Sequence, residues 1–241
     1  MKGYGVLYED GELLVLDKPA GLSVQGGKGI TISLDELLAR DYHPRPHLVH
    51  RLDRDTSGVL LTAKSPAAAA RCAAFFDRSS GGLVKRYAAV CAGILPEKGV
   101  ITGAIPAKGR RPGGRELPAR TNYTRLGLSS APGPFSLAEL VPATGRMHQI
   151  RRHLAGTGCP ILGDDRYGDF TLNRELKKSF GLKRMLLHAR SLYLPDPLVR
   201  GGREITAPLP DYFKNFLEFL KIRPDFQEMH PALDKGNVFF S

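Results

Sequence analysis

The chain has 241 residues, enough for a sizeable core, and its 42% hydrophobic content is that of an ordinary globular protein. Lys plus Arg number 35 against 24 for Asp plus Glu, a formal net charge of +11, which calls for a polyanionic partner: nucleic acid or an anionic membrane surface. No apolar run approaches the ~20 residues needed to cross a bilayer, and Met1-Lys2-Gly3-Tyr4-Gly5 has no apolar leader core, so the expected partner is nucleic acid and not a membrane. Cys72, Cys91 and Cys159 are far apart with no CxxC, which argues against a disulfide framework and predicts a reducing, cytoplasmic location.

In chain order, Val6 to Leu16 reads as two short strands around the turn Glu9-Asp10-Gly11. Ser33-x-x-Glu36 is a capping box that predicts a helix over about Leu34 to Arg40. His43-Pro44-Arg45-Pro46-His47 is extended, because each proline biases its predecessor away from helix. Val59 to Ala63 is a buried strand, and Ser65-Pro66 starts an alanine-rich helix that runs to Phe76. Leu83 to Ala92 is β-rich, interrupted by Lys85-Arg86. Between Lys108 and Arg125 lie six basic residues and one acidic, Glu116; with Gly109, Gly113 and Gly114, the stretch Pro106 to Arg120 predicts a mobile basic loop. Thr121 to Leu128 and Phe135 to Val141 read as strands. Met147, Ile150 and Leu154 form the apolar stripe of a short helix after Thr144-Gly145-Arg146. Met185 to Leu194 is another strand, and Phe213, Phe216, Leu217 and Leu220 mark a helix near the C-terminus. The tail after Pro224 has no periodicity. Helices and strands mix without βαβ regularity, which predicts an α+β fold: a mixed, mostly antiparallel central sheet flanked by helices.

The chemistry concentrates in His50-Arg51-Leu52-Asp53-Arg54-Asp55-Thr56-Ser57-Gly58, a charged word between the apolar runs Leu48-Val49 and Val59-Leu60-Leu61. Such density between buried segments points to a loop at a cleft. An isolated loop Asp is ordinarily a turn or cap residue. Here His50, Arg51 and Arg54 surround Asp53, and cationic neighbours favour and orient an ionised carboxylate, a competent nucleophile. Asp55 reads as a loop-stabilising residue. His43, His47 and His50 do not have metal-ligand spacing, because two prolines prevent an i, i+4 pair, and no metal is expected. The pairs Gly26-Gly27 and Gly201-Gly202 match no phosphate-binding loop.

The word H-R-L-D-x-x-T-S-G resembles the signature of the RluA family of RNA pseudouridine synthases. Further motifs come in the family's order: Asp10 to Val24 resembles its N-terminal motif, Lys85-Arg86-Tyr87 its K-x-Y element, and Thr144-Gly145-Arg146-Met147-His148-Gln149-Ile150-Arg151 its T-G-R-x-H-Q-I-R element. Pro160-Ile161-Leu162-Gly163-Asp164 and Leu187-His188-Ala189 continue the series. The resemblance implies the pseudouridine synthase fold with a catalytic cleft, no cofactor, and isomerisation of uridine in structured rRNA or tRNA. It implies Asp53 as the catalytic carboxylate, whether by attack on the sugar, attack on the base or formation of a glycal. It places Tyr87 on the target uracil with a part in removing the C5 proton, Arg151 opposite Asp53 across the cleft, and Leu187 in the uracil pocket. Arg51 joins them as a substrate contact, since an extruded base leaves a gap that an arginine can fill. Arg110, Arg111, Arg115 and Arg120 are the expected phosphate contacts. His148, Gln149 and His188 read as structural hydrogen-bonders. Residues 1–241 are expected to form a single catalytic domain with its core over about residues 10–220, acting as a monomer with no obligate protein partner. The first motif begins near Asp10 and leaves no room for the N-terminal S4 domain of many relatives, so RNA selection would rest on the catalytic domain. Two alternatives stand beside this reading. One is a non-catalytic RNA-binding or ribosome-assembly protein on the same scaffold. The other is a metal-dependent phosphoesterase using Asp53, Asp55 and Asp164, which predicts loss of activity in a chelator.

Overall fold

A computed structural model describes residues 3–76, 82–106, 115–129 and 132–222. The first hairpin joins β1 (Gly5–Glu9) to β2 (Leu13–Lys18), and Asp10 closes its turn by accepting the backbone N–H of Glu12 and Leu13 at 2.8 and 2.7 Å. Helix α1 (Leu34–Asp41) opens on the capping box: Ser33 N–H donates to the Glu36 carboxylate at 2.7 Å, and Glu36 N–H donates to Ser33 Oγ at 3.3 Å. The two-residue β3 (His47–Leu48), β4 (Ser57–Ala63), α2 (Pro66–Phe76), β5 (Val84–Ala92) and β6 (Lys98–Pro106) come next. The second half comprises β7 (Glu116–Ser129), β8 (Phe135–Pro142), α3 (Gln149–Gly156), α4 (Phe170–Phe180), β9 (Leu187–Leu194), β10 (Arg203–Thr206) and α5 (Asp211–Phe219).

The strands form one ten-stranded sheet in the order β1-β2-β4-β9-β5-β8-β7-β6, with β3 also on β4 and β10 also on β9. Every pairing is antiparallel except β4 with β9, which run parallel over two rungs, Ser57 beside His188 and Gly58 beside Ala189. The fold is therefore α+β with a mixed, mostly antiparallel sheet. The short parallel seam brings the starts of β4 and β9 side by side, so the loop entering β4 and the first residue of β9 open onto the same end of the sheet.

Both faces of the sheet are covered, which explains why its central strands read as continuous apolar runs and not as alternating ones. Successive side chains on a strand point to opposite faces. Leu13, Val15, Val59 and Leu61 pack with Cys72 and Phe75 of α2, whereas Leu14, Leu16 and Leu60 pack with Leu34, Leu37 and Leu38 of α1. On β5, Ala88 and Val90 pack with Leu176 of α4 and Phe213 and Phe216 of α5; Ala89 and Cys91 meet Ile150 and Leu154 of α3.

Four departures from the sequence-based expectations have physical causes. The basic stretch does not stay a loop to Arg120: residues 116–120 are already in β7, paired with β6 from Ile105–Leu117 to Thr102–Arg120. β6 carries little hydrophobic pattern because it is largely exposed, with Ile101 and Ile105 its only buried side chains. Helix α4 buries only Leu176 and hides for the same reason. Met147 lies before α3 and is 39% exposed, which leaves Ile150 and Leu154 to anchor that helix. Arg110, Arg111 and the tail after Pro224 lie outside the described residues.

Candidate active site

Asp53 sits in the turn that enters β4, where Thr56 N–H donates to its carbonyl at 3.2 Å. The turn is pinned from below by Lys18, a fully buried side chain at the end of β2. Its Nζ donates to the carbonyls of Pro19, Leu22 and Arg54 at 3.0, 2.8 and 3.0 Å. Burial lowers the Lys18 pKa to about 7 against the pull of Asp55, Asp53 and Asp17. On the far side of the turn, Ser57 Oγ lies 2.9 Å from His188 Nδ1 and 3.0 Å from the Tyr212 hydroxyl, tying the start of β4 to β9 and α5. Gly58 completes the anchor. Its φ is +107°, and a Cβ there would collide with the Ala189 carbonyl of the parallel seam.

Above this turn opens a cleft of about 340 Å³, lined by Asp53, Arg51 and Leu52 from the turn, Lys85 and Tyr87 from β5, Leu187 from the start of β9, and His148 and Arg151 from the start of α3. Arg151 Nη1 donates to Asp53 Oδ2 at 3.2 Å. The guanidinium is itself held: Nε and Nη2 donate to the two oxygens of Asp164, both at 2.7 Å, in the paired geometry that suits arginine and a carboxylate. The Arg151 and Asp164 side chains are only 6% and 1% exposed. Burial opposes the charge on Arg151, but the bonds and charge of Asp164 and then Asp53 raise its pKa well above the usual arginine value. Asp164 also accepts the backbone N–H of Arg166 and Tyr167 at 2.9 and 3.0 Å, so burial, which alone would raise its pKa, is overcome and the pKa falls.

His148 completes the surround of Asp53. It occupies the left-handed region at φ 54° just before α3 and makes no side-chain cap. Its Nε2 faces Asp53 Oδ1 at 3.6 Å, and its Nδ1 lies 3.0 Å from the Tyr167 hydroxyl. Burial lowers its pKa below 6.5, partly opposed by Asp53 and reinforced by Arg151, Arg166 and Arg152. The Tyr87 phenol is raised by burial and then by Asp53, so it is protonated at neutral pH.

Of the residues singled out from the sequence, Asp53, Tyr87, Arg151, Leu187 and Arg51 all line this cleft, Arg51 at its exposed rim. Arg120 does not line it. It stands in an adjoining groove with Arg146, bound through its backbone to the Thr144 turn by Ala143 N–H and Gln149 Nε2 donating to its carbonyl at 2.9 and 3.0 Å. Arg115 is exposed, just before β7.

The expectation that His50 and Arg54 supply charge to Asp53 fails. His50 Nε2 accepts the Leu61 N–H at 2.9 Å, its ring packs on Phe76, and burial with the nearby Lys85 pushes its pKa to about 3, so it is neutral. Arg54 turns outward to Asp55 at 3.4 Å, an exposed pair that contributes little. The hydrogen bonds that hold the loop come from Lys18, with Asp55 adding its charge to Lys18 and its pairing with Arg54. Sequence alone assigns His148 and Lys18 no role near Asp53, and pairs Asp164 with it only as a metal ligand, whereas the structure gives Asp164 to Arg151. Each lies inside a quoted motif, but only the fold reveals what it touches. Among the described residues no group of three His, Cys, Asp or Glu side chains could hold a metal ion, and Asp164 is committed to Arg151.

The chain is similar to known proteins along most of its length. The profile of the RNA pseudouridylate synthase family matches residues 12–156. A ribosomal large subunit pseudouridine synthase C of Haemophilus ducreyi is 36% identical over 225 residues, covering 90% of this chain and 69% of that protein. Its counterpart in Rickettsia typhi is 37% identical over 218 residues, covering 86% and 69%. Among solved structures, human RNA Pseudouridylate Synthase Domain Containing 4 superposes with a TM-score of 0.74 at 29% identity, covering 92% of this chain and 95% of that one. No helix among the described residues is long and apolar enough to cross a membrane. With a profile match over more than half its length and relatives above 30% identity along most of it, the chain belongs to the RNA pseudouridylate synthase family and is an enzyme that isomerises uridine in RNA.

Proposed function

We propose that the chain converts specific uridines of structured RNA, large-subunit ribosomal RNA foremost, to pseudouridine, as one catalytic domain and a monomer, with Asp53 as the acting carboxylate. The observation that carries this reading is the meeting of Asp53, Tyr87, Arg151 and Leu187 around one cleft, with Arg151 bonded to Asp53 at 3.2 Å. The large-subunit relatives support ribosomal over transfer RNA. The reaction breaks the C1′–N1 bond, turns the uracil and joins C1′ to C5; the C5 hydrogen leaves as a proton and N1 gains one. Atoms and electrons balance without a redox partner, so the chemistry needs no cofactor. Reaching the base requires extruding it from its stack, at a cost of a few kcal/mol. Arg51 at the rim fills the vacated space, Tyr87 stacks on the flipped base, and Leu187 packs against its edge. Tyr87, whose phenol burial and then Asp53 keep protonated in the free protein, is the stacking face and takes part in removing the C5 proton once the base is bound. Arg151, immobilised by Asp164, holds the Asp53 oxygen toward the sugar and base. Arg120, in the groove with Arg146, and Arg115, just before β7, grip phosphates outside the cleft, and Arg110 and Arg111, outside the described residues, are proposed as further phosphate contacts.

The test is to map pseudouridines in ribosomal and transfer RNA from a deletion strain. At least one large-subunit position is lost, restored by the parent gene and not by Asp53→Ala. Restoration by Asp53→Ala would overturn the assignment of the carboxylate, and loss only from transfer RNA would overturn the choice of substrate.

A further inference from the structure

Lys85 and Arg86 are neighbours on β5 with opposite fates. Arg86 points to one face of the sheet and pairs with Glu139 and Glu204 at 3.3 and 3.6 Å. Lys85 points to the other face, into the cleft. Its ammonium stands 5.3 Å from the centre of the Phe76 ring, and a Cβ on Gly145, across the cleft, would lie 3.8 Å from it. Among the described residues Lys85 has no hydrogen bond and no carboxylate partner. A half-buried cation in that condition is unfavourable in the empty protein, and burial lowers its pKa accordingly. The cleft as a whole repeats the imbalance: Arg51, Lys85, Arg146 and Arg151 face one carboxylate, Asp53, and Arg151 is already shared with Asp164.

We propose that the Lys85 ammonium is the seat of a backbone phosphate flanking the target uridine. This rests on the reading that uridine isomerisation takes place in this cleft. Charge favours a phosphate over a uracil carbonyl, since four cations line the cleft and one carboxylate faces them. The register irregularity here adds a residue to β9, between Ser191 and Ala189, so β5 keeps its alternation and Lys85 shares a face with Tyr87. Two residues along a strand span ~7 Å. With the base on Tyr87, the attached ribose spans a distance of that order and brings a flanking phosphate toward the ammonium. The Phe76 ring covers one side of the ammonium and leaves its N–H groups for an anion. Phosphate binding supplies the ammonium with an anionic partner that the described residues do not. Lys85 thus fixes where along the RNA strand the extruded nucleotide sits.

The test is a double-mutant cycle on an RNA hairpin carrying the mapped uridine. The linkage 5′ or 3′ to that uridine is replaced by a neutral methylphosphonate, and kcat/KM is measured for the parent, Lys85→Met and Lys85→Arg. On natural RNA, Lys85→Met loses about 10- to 100-fold, the range for a hydrogen bond to a charged group, and Lys85→Arg retains most of the activity. On one of the two neutral-linkage substrates, parent and Lys85→Met fall within about threefold of each other, because the contact is already gone. The same loss on both neutral substrates as on natural RNA, or no loss on natural RNA, would overturn the proposal. Should Lys85→Met not fold, Lys85→Gln takes its place in the cycle. Failure of the parent to modify natural RNA at all would instead strike the functional reading itself.

Discussion

Replacing Asp164 by Ala probes the part of the site on which the rest leans. Asp164 makes two charge-assisted bonds to Arg151, both 2.7 Å, and accepts two backbone N–H groups, at 2.9 and 3.0 Å. Its side chain is 1% exposed and that of Arg151 is 6% exposed. Removing one member of a buried ion pair costs about 3–5 kcal/mol, because the remaining charge is left without a partner. Here Asp53 at 3.2 Å and the exposed Asp165 at 3.4 Å take part of the load, which favours the lower end. The two orphaned N–H groups add about 1 kcal/mol each where water reaches them poorly. The expected loss in urea unfolding is therefore about 5 kcal/mol, a large share of a typical domain's stability. Asp164→Asn keeps an acceptor but not the charge, and should lose about half as much. That milder variant also isolates the functional consequence: Arg151 is no longer fixed, so kcat falls about tenfold or more with little change in KM. An Ala variant within 1 kcal/mol of the parent, or an Asn variant with full turnover, would refute the claim that Asp164 holds the guanidinium in place.

Three further outcomes rest on the same geometry. His50 has a folded pKa of about 3 against an unfolded value near 6.5, so it remains neutral in the fold while the unfolded chain takes up a proton. Stability attributable to it is complete above pH 6.5 and falls as pH drops toward 3, by about 1.4 kcal/mol per unit; in His50→Gln the plot of unfolding free energy against pH between 6 and 4 is shallower by that slope, and an unchanged slope would contradict the burial argument. Gly58→Ala forces a side chain into the left-handed region and against the Ala189 carbonyl, so it lowers stability by more than about 3 kcal/mol in urea unfolding; a loss under 1 kcal/mol would contradict the close approach of β4 and β9. Reversing the charges of Arg110, Arg111, Arg115 and Arg120 together weakens RNA binding and flattens the dependence of log affinity on log salt; equal slopes for variant and parent would remove the basic stretch from the RNA interface.

The fold's continuous elements are legible in the sequence where a local rule is strong. The Ser33–Glu36 box starts α1, Ser65-Pro66 starts α2, and the apolar runs of β2 and β4 mark strands covered on both faces. Legibility fails where exposure dilutes the pattern, in β6 and α4, and where a strand continues a glycine-rich basic stretch, in β7. For the cleft, motif words name Asp53, Tyr87, Arg151 and Leu187, but neighbours in sequence mislead about electrostatics. His50 and Arg54 flank Asp53 and give it nothing, while Arg151, 98 positions away, bonds to it. The contact of His148 with Asp53 and the grip of Asp164 on Arg151 are unreadable for the same reason, since long-range contacts carry no local signature. In sequence Lys18 looks like part of a strand break, yet it is the post under the Asp53 turn.

The most direct measurement is single-turnover tritium release from C5-labelled uridine RNA by Asp53→Asn, a variant that preserves shape and removes the charge Arg151 holds. The account predicts that RNA binding stays within about threefold of the parent while release falls at least about a thousandfold, on the order of 4 kcal/mol in the barrier. Release within tenfold of the parent would contradict the assignment of Asp53 as the carboxylate that acts on the nucleotide.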